Sequence, residues 1–137
     1  MEISATVVSS PGTHQVAVRT GNAEHTLNIA PKRSGGGSAT NGGEFLMLAL
    51  ATCYCNDLYR EAARLGLQLE EVQVRATAEF ANVGLAASDV RYSAAVKSSA
   101  TPQAVAQLLR ETDAVAEVHN TLRKGVPVRL LGSQDLA

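Results

Sequence analysis

The stretch NGGEFLMLALATCYCNDLYREAARL, residues 41–65, decides the fold. Asn41 followed three residues later by Glu44 has the spacing of a capping box, in which each side chain accepts a hydrogen bond from the other residue's backbone amide. Nothing from Glu44 to about Leu65 breaks a helix, and Gly66 supplies a stop. The first half, FLMLALA, is apolar all round, which signals burial on every side. The second half becomes one-sided, with Ala51, Cys55, Leu58, Ala62 and Leu65 on an apolar stripe and Asp57, Arg60, Glu61 and Arg64 off it. Such a helix is a rod of roughly 30 Å, the width of a small domain. It has more surface to bury than one small sheet can cover, so a second subunit is expected.

Short alternating runs precede the helix: Ile3, Ala5 and Val7; Val16 and Val18; Leu27 and Ile29. They read as a three-stranded meander, turned at Ser10-Pro11-Gly12-Thr13 and Thr20-Gly21-Asn22-Ala23. The glycine-rich stretch 34–43 is a loop within one domain. It lacks the GxxxxGK[ST] phosphate loop, although Lys32 and Arg33 stand close to an amide-rich helix start. After the helix the period becomes two. Val72, Val74, Ala76, Ala78 and Phe80 form one strand, and Val90, Tyr92, Ala94 and Val96 a second that pairs with it antiparallel.

Thr101-Pro102 opens another helix as N-cap and first residue, with Val105, Leu108 and Leu109 inward. A third helix uses Val115, Val118 and Leu122 and stops at Gly125. A final strand of Val126, Val128 and Leu130 is expected at a sheet edge, since Pro127 has no amide to donate. The order βββ-α-ββ-αα-β, with helices grouped rather than alternating with strands, is an α+β fold. At 137 residues, 45% of them hydrophobic, the chain reads as a single domain over 1–137.

Composition excludes several partners. Twelve basic against 13 acidic residues give a net charge of −1, without the excess that nucleic-acid binding needs, and no Trp with two Phe leaves few stacking platforms. No apolar run reaches the ~20 residues of a membrane span, and no export signal opens the chain. A cytoplasmic protein with reduced thiols is expected.

Those thiols, Cys53 and Cys55, point about 200° apart on a helix and cannot form a normal disulfide with each other. Cys55 falls on the apolar stripe, where cysteine is an inert small hydrophobe expected to be buried. Cys53 shares a face with Asn56, Asp57 and Arg60, at the border of apolar and polar surface, and is the candidate reactive thiol. Reactivity needs partial access and a positive neighbour; Asp57 works the other way. His14, His25 and His119 lie on different elements without ligand spacing to a cysteine, so no metal site is expected. His119 reads as a satisfied, partly buried histidine.

Two segments together resemble the OsmC/Ohr family of osmotically induced and organic-hydroperoxide-resistance proteins. NGGEFLMLALATC (41–53) is similar to the family's NPEELLxAAxAAC segment, and VHNTLRKGVPV (118–128) to the end of its CPVHNTLRxGVPV segment. The resemblance spans nearly the whole chain. It implies an OsmC-like fold and an intertwined homodimer with sites at the interface. It also implies a cofactor-free mechanism in which a cysteine thiolate attacks the peroxide O–O bond to give a sulfenic acid, a second cysteine condenses to a disulfide, and a thiol or lipoyl dithiol reduces it. A Glu at the start of the central helix and an Arg from an N-terminal loop assist.

Carried over residue by residue, Cys53 matches the attacking cysteine. The family's Glu aligns with Gly43, leaving Glu44 one place along as the catalytic carboxylate candidate. The second cysteine's place is Ala116. No Arg stands at the early loop; Arg19 is on the neighbouring strand, and Lys32 and Arg33 are the substitutes. The expected activity is therefore reduction of organic hydroperoxides through one cysteine, an external thiol resolving the sulfenic acid. The alternative is a non-enzymatic small-molecule-binding or redox-sensing relative.

Overall fold

The structure, a computed structural model, describes residues 1–132. Three strands come first, β1 (Ile3–Ser10), β2 (Thr13–Thr20) and β3 (Ala23–Leu27), followed by helix α1 (Gly42–Leu65). Then come β4 (Glu71–Glu79), β5 (Ser88–Lys97), α2 (Pro102–Val115) and α3 (Glu117–Lys124). This is the α+β order expected, in two compact units, Met1–Leu46 and Met47–Ala137.

In the first unit β1, β2 and β3 form an antiparallel meander. Gly12 and Gly21 turn it with φ of 80° and 55°, values that residues with a Cβ rarely adopt. Val7 pairs with Val16 and Val16 with Leu27, so Ala5, Val7, Val16, Val18 and Leu27 share one face. Only Val16 of these strands is buried; Val7 keeps 59% of its surface exposed. The glycine-rich segment is tied down: Pro31 bridges to Ser38, the Lys32 amide donates to the Gly37 carbonyl at 2.9 Å, and the Gly37 amide donates to Ser9 Oγ at 2.9 Å.

The second unit packs the rest of α1 with α2 and α3 against the β4–β5 hairpin. Its core is Tyr54, Leu58, Ala62, Leu108 and Ala116, with Leu65, Leu67, Val72, Val74, Tyr92, Ala94 and Val96 around it. The inward positions of β4 are the even ones, Val72 to Ala78, as the two-residue period requires. Thr101 caps α2 by accepting from the Ala104 amide at 3.2 Å, with Pro102 just behind it. Gly125 ends α3 in the left-handed conformation, φ 59°.

Four expectations need correcting. Residues 126–130 form no strand: Val128 and Leu130 are fully exposed and Val126 is about half exposed. Pro127 has no amide to give, and among the described residues the segment pairs with no strand. The buried stripe of α1 is Leu50, Tyr54, Asp57, Leu58, Glu61 and Ala62; Leu65 packs against its edge as expected, while Ala51 and Cys55 are only partly buried. Tyr54 turns the stripe, because its ring is the largest apolar body available and its hydroxyl finds an acceptor, the Leu109 carbonyl at 2.7 Å. On α3 the buried residue is His119, with Ala116 just before the helix, while Val115 and Leu122 are exposed.

His119, finally, is buried but unsatisfied. Its ring lies against Tyr92 and Tyr54, centroids 4.3 and 5.7 Å away, and neither ring nitrogen has a hydrogen-bond partner among the described residues. Burial holds its pKa below the ordinary histidine value, and the Arg123 guanidinium acts the same way.

Leu58 has no exposed surface, so Leu58→Ala is expected to cost about 2–5 kcal/mol in chemical denaturation. His119 gives stability a pH dependence of definite sign. Its folded pKa is depressed, so below about pH 6.5 the unfolded chain takes up a proton that the folded chain refuses. Stability is present above that pH and is lost as pH falls. The urea midpoint should drop between about pH 7.5 and 5.5, and His119→Phe should flatten part of that drop.

Candidate functional site

Cys53 lies in the middle of α1, half-buried, against the N-terminus of α3. That position follows from a missing cap. The residue before α3 is Ala116, which has no side-chain oxygen to accept the first free amides of the helix. The Val118 amide lies near the Cys53 sulfur and favours its thiolate form. Ala116 itself is completely buried in the same neighbourhood, where the family's second thiol would stand.

Two carboxylates complete the surroundings. The Cys53 thiol donates to Asp57 Oδ2 at 3.5 Å, and the sulfur and one oxygen each of Asp57 and Glu117 all lie within 4.8 Å of one another. Burial pushes the Cys53 thiol above its ordinary pKa, Asp57 and Glu117 push the same way, and the Val118 amide opposes them without prevailing. Asp57 is buried and its pKa is also raised, mainly by that burial, with Glu117 adding and Arg60 subtracting. The resting form is therefore a neutral thiol hydrogen-bonded to a carboxylate, and the positive neighbour that a reactive thiol needs is not what acts on the sulfur.

The cation at hand serves the carboxylates. Arg60 Nη1 lies 2.7 Å from Asp57 and 3.7 Å from Glu117, and its Nε 3.2 Å from Glu61. Arg64 in turn holds Glu61 at 2.5 Å and pairs with Glu111. One thiol and two carboxylates have the atom types and spacing for a divalent ion. Arg60 already supplies the positive charge there, and the sequence carries no further ligand at motif spacing.

In the same unit a cavity of about 240 Å³ is lined by Leu50, Val90, Tyr92, His119, Leu122 and Arg123, and Cys53 is not among its lining residues. Leu50 is three residues before Cys53 on α1, and His119 follows Val118. The Tyr92 hydroxyl bonds Asp113, which Arg123 holds with Nη2 at 2.5 Å. Burial and Asp113 keep Tyr92 protonated, its pKa far above the ordinary tyrosine value. Of the polar lining, Tyr92 and Arg123 are thus paired through Asp113, while the His119 ring nitrogens have no partner among the described residues; the rest of the wall is apolar.

The remaining sequence candidates have their own partners or local settings. Glu44 is the capping residue: its carboxylate accepts from the Asn41 amide at 2.8 Å, while Asn41 Oδ1 accepts from the Glu44 amide at 2.9 Å. Its carboxylate is engaged at the start of α1, nine residues before Cys53. Arg19 pairs with Glu24 at 2.5 Å across β2 and β3. Cys55 is half-buried rather than buried, because the core stripe runs through Tyr54.

Glu117 and the Val118 amide went unread in the sequence. The signal for them was Ala116 at the second-cysteine position, whose neighbours had to approach Cys53.

The family model for OsmC-like proteins matches residues 35–131. Among solved structures, the OsmC-like protein from Mycoplasma pneumoniae aligns with TM-score 0.63 at 16% identity, covering 89% of this chain and 86% of that one. The organic hydroperoxide resistance protein from Elizabethkingia anophelis, a structure with bound thiocyanate, aligns with TM-score 0.61 at 20% identity, covering 95% and 94%. An organic hydroperoxide resistance protein OsmC from Legionella pneumophila aligns with TM-score 0.54 at 20% identity, covering 91% and 94%. No curated protein matches the chain. No helix among the described residues is long and apolar enough to cross a membrane. The sequence motifs at both ends of the match, the order of elements and the family model agree: this chain belongs to the OsmC-like protein family.

Proposed function

We propose that the chain reduces organic hydroperoxides with an external thiol, through Cys53 alone, as a homodimer in a reducing cytoplasm. The observation that carries this is the place of Cys53, partly accessible and against the first turn of α3, in a unit that also holds an apolar-walled cavity suited to an organic group. Solved relatives named as organic hydroperoxide resistance proteins support the substrate class.

In this reading Cys53 loses its proton to solvent, and the thiolate sulfur attacks the terminal peroxide oxygen. The O–O bond breaks, the leaving alkoxide takes a proton from water, and a sulfenic acid and an alcohol result. With Ala116 in place of a second cysteine, an external thiol condenses with the sulfenic acid, releasing water. A second thiol, or the other arm of a lipoyl dithiol, then displaces the mixed disulfide and returns Cys53. Glu44 serves as the cap of α1, not as an acid or base.

The homodimer reading rests on unpartnered apolar surface. One face of the β1–β3 meander is open, Leu48 on the first half of α1 is more than half exposed, and Val126, Val128 and Leu130 extend from α3 with nothing over them. A second copy of this chain, its N-terminal strands paired with the first as in an intertwined OsmC-like dimer, would cover all three and make residues 1–137 one domain of a shared core.

A second reading, a redox-sensing or ligand-binding relative, is favoured by one observation: the resting thiol is neutral and bonded to Asp57. The two separate cleanly. With dithiothreitol or dihydrolipoamide, the wild-type protein should consume cumene hydroperoxide and Cys53→Ser should not, while Cys55→Ser retains activity within about twofold. Wild-type protein that consumes no hydroperoxide sinks the enzymatic reading and leaves the sensor. Because the folded thiol has a raised pKa, iodoacetamide labelling of Cys53 should have its midpoint above that of free cysteine, about 8.5, and the rate at pH 7 should lie below that of the unfolded chain.

A further inference from the structure

The surroundings of Cys53 also bear on what can approach it. The sulfur shares a cluster of 4.8 Å with carboxylate oxygens of Asp57 and Glu117, and one guanidinium, Arg60, serves both of these and Glu61. Arg64 is divided between Glu61 and Glu111. Four carboxylates and two guanidiniums therefore form one continuous network beside the thiol, with an excess of negative charge. The network is not a solvated fringe throughout, since Asp57 and Glu61 are buried. Its nearest members are the two that face the sulfur.

We propose that this network makes Cys53 selective by charge: its substrates and reductants are neutral or cationic, and Asp57 and Glu117 reject those carrying a carboxylate or another anion near the reacting atoms. The inference rests on the reading of Cys53 as the reacting thiol and narrows its substrate class. An anion in contact with the sulfur lies close to both carboxylates, and like charges at such distances repel. A neutral alkyl or aryl hydroperoxide avoids that cost. A hydroperoxide bearing a carboxylate close to its peroxide meets the repulsion. The same argument places a neutral dithiol such as dihydrolipoamide ahead of glutathione, which is a net anion at neutral pH. It also assigns Asp57 a restraining role, since its charge stabilises the proton on sulfur.

Two methanethiosulfonate reagents of similar size test this without any peroxide, one carrying trimethylammonium and one sulfonate. In each case the Cys53 thiolate forms a mixed disulfide and methanesulfinate leaves. In a Cys55→Ser background, the cationic reagent should react faster than the anionic one by about fivefold or more at low salt, after division by the same ratio for the urea-unfolded chain. The preference should shrink in about 1 M salt. Glu117→Gln, at an exposed position, should lower the ratio, and Asp57→Asn with Glu117→Gln should bring it close to one. Asp57→Asn should also speed labelling by neutral iodoacetamide at pH 7, because the carboxylate that holds the thiol proton is gone. Should the double variant fail to fold, the salt dependence and Glu117→Gln decide the matter alone. A wild-type ratio equal to that of the unfolded chain overturns the proposal, even if hydroperoxide is turned over. A cationic preference in a protein that consumes no hydroperoxide overturns the peroxidase reading and leaves charge selection standing.

Discussion

The packing of Tyr54, Leu58 and Ala62 on α1 against Leu108 and Ala116 is the contact from which the rest of the second unit follows. Tyr54 sets the rotation of the helix. With its hydroxyl bonded to the Leu109 carbonyl and its ring edge-on to Tyr92, the residues four before and four after it, Leu50 and Leu58, are fixed as inward, and Cys53 is left at the margin. Ala116 must be small and completely buried for α3 to approach that margin. The approach brings the Val118 amide to the sulfur and Glu117 to within reach of Asp57. The site is a consequence of core packing, at a place where a helix lacking a side-chain cap meets another helix that carries a thiol.

That geometry sets two opposed influences on Cys53. A backbone amide at a helix N-terminus favours the thiolate, as it favours any anion. Burial and two carboxylates favour the thiol, and together they are larger. The members of this family that act on peroxides are expected to hold a cation near the sulfur. Here the nearby guanidiniums of Arg60 and Arg64 are engaged with carboxylates, Arg19 is engaged with Glu24, and Glu44 with its cap. With Ala116 where the resemblance places a second cysteine and Glu117 beside it, this corner of the fold holds a single thiol among two carboxylates.

Much of the architecture could be read from local patterns, because those patterns report local physics. The capping box at Asn41 and Glu44, the two-residue period of β4 and β5, Thr101-Pro102 and the stop at Gly125 are each decided within a few residues, and each is found where the residues place it. The strand expected at 126–130 failed for the opposite reason. A strand needs a partner, and alternation in Val126, Val128 and Leu130 says only that one face wishes to be covered, not that this chain covers it.

Sequence by itself determined the elements, their order, the family and the choice of Cys53 over Cys55, since helical spacing puts the two thiols on different faces and the motif ends on the first. Tertiary structure alone decided which face of α1 is buried, because Tyr54 outweighs several smaller apolar residues once it finds partners for both ring and hydroxyl. It also decided the charge around the thiol. Asp57 was visible one turn along the helix, but its burial, the neighbouring Glu117 and the Val118 amide come from α3, 60 residues or more further along the chain, and distance in sequence carries no information about them. His119 shows the same limit: the sequence read it as a satisfied, partly buried histidine, and only the packed structure shows that burial leaves both of its nitrogens without a partner among the described residues.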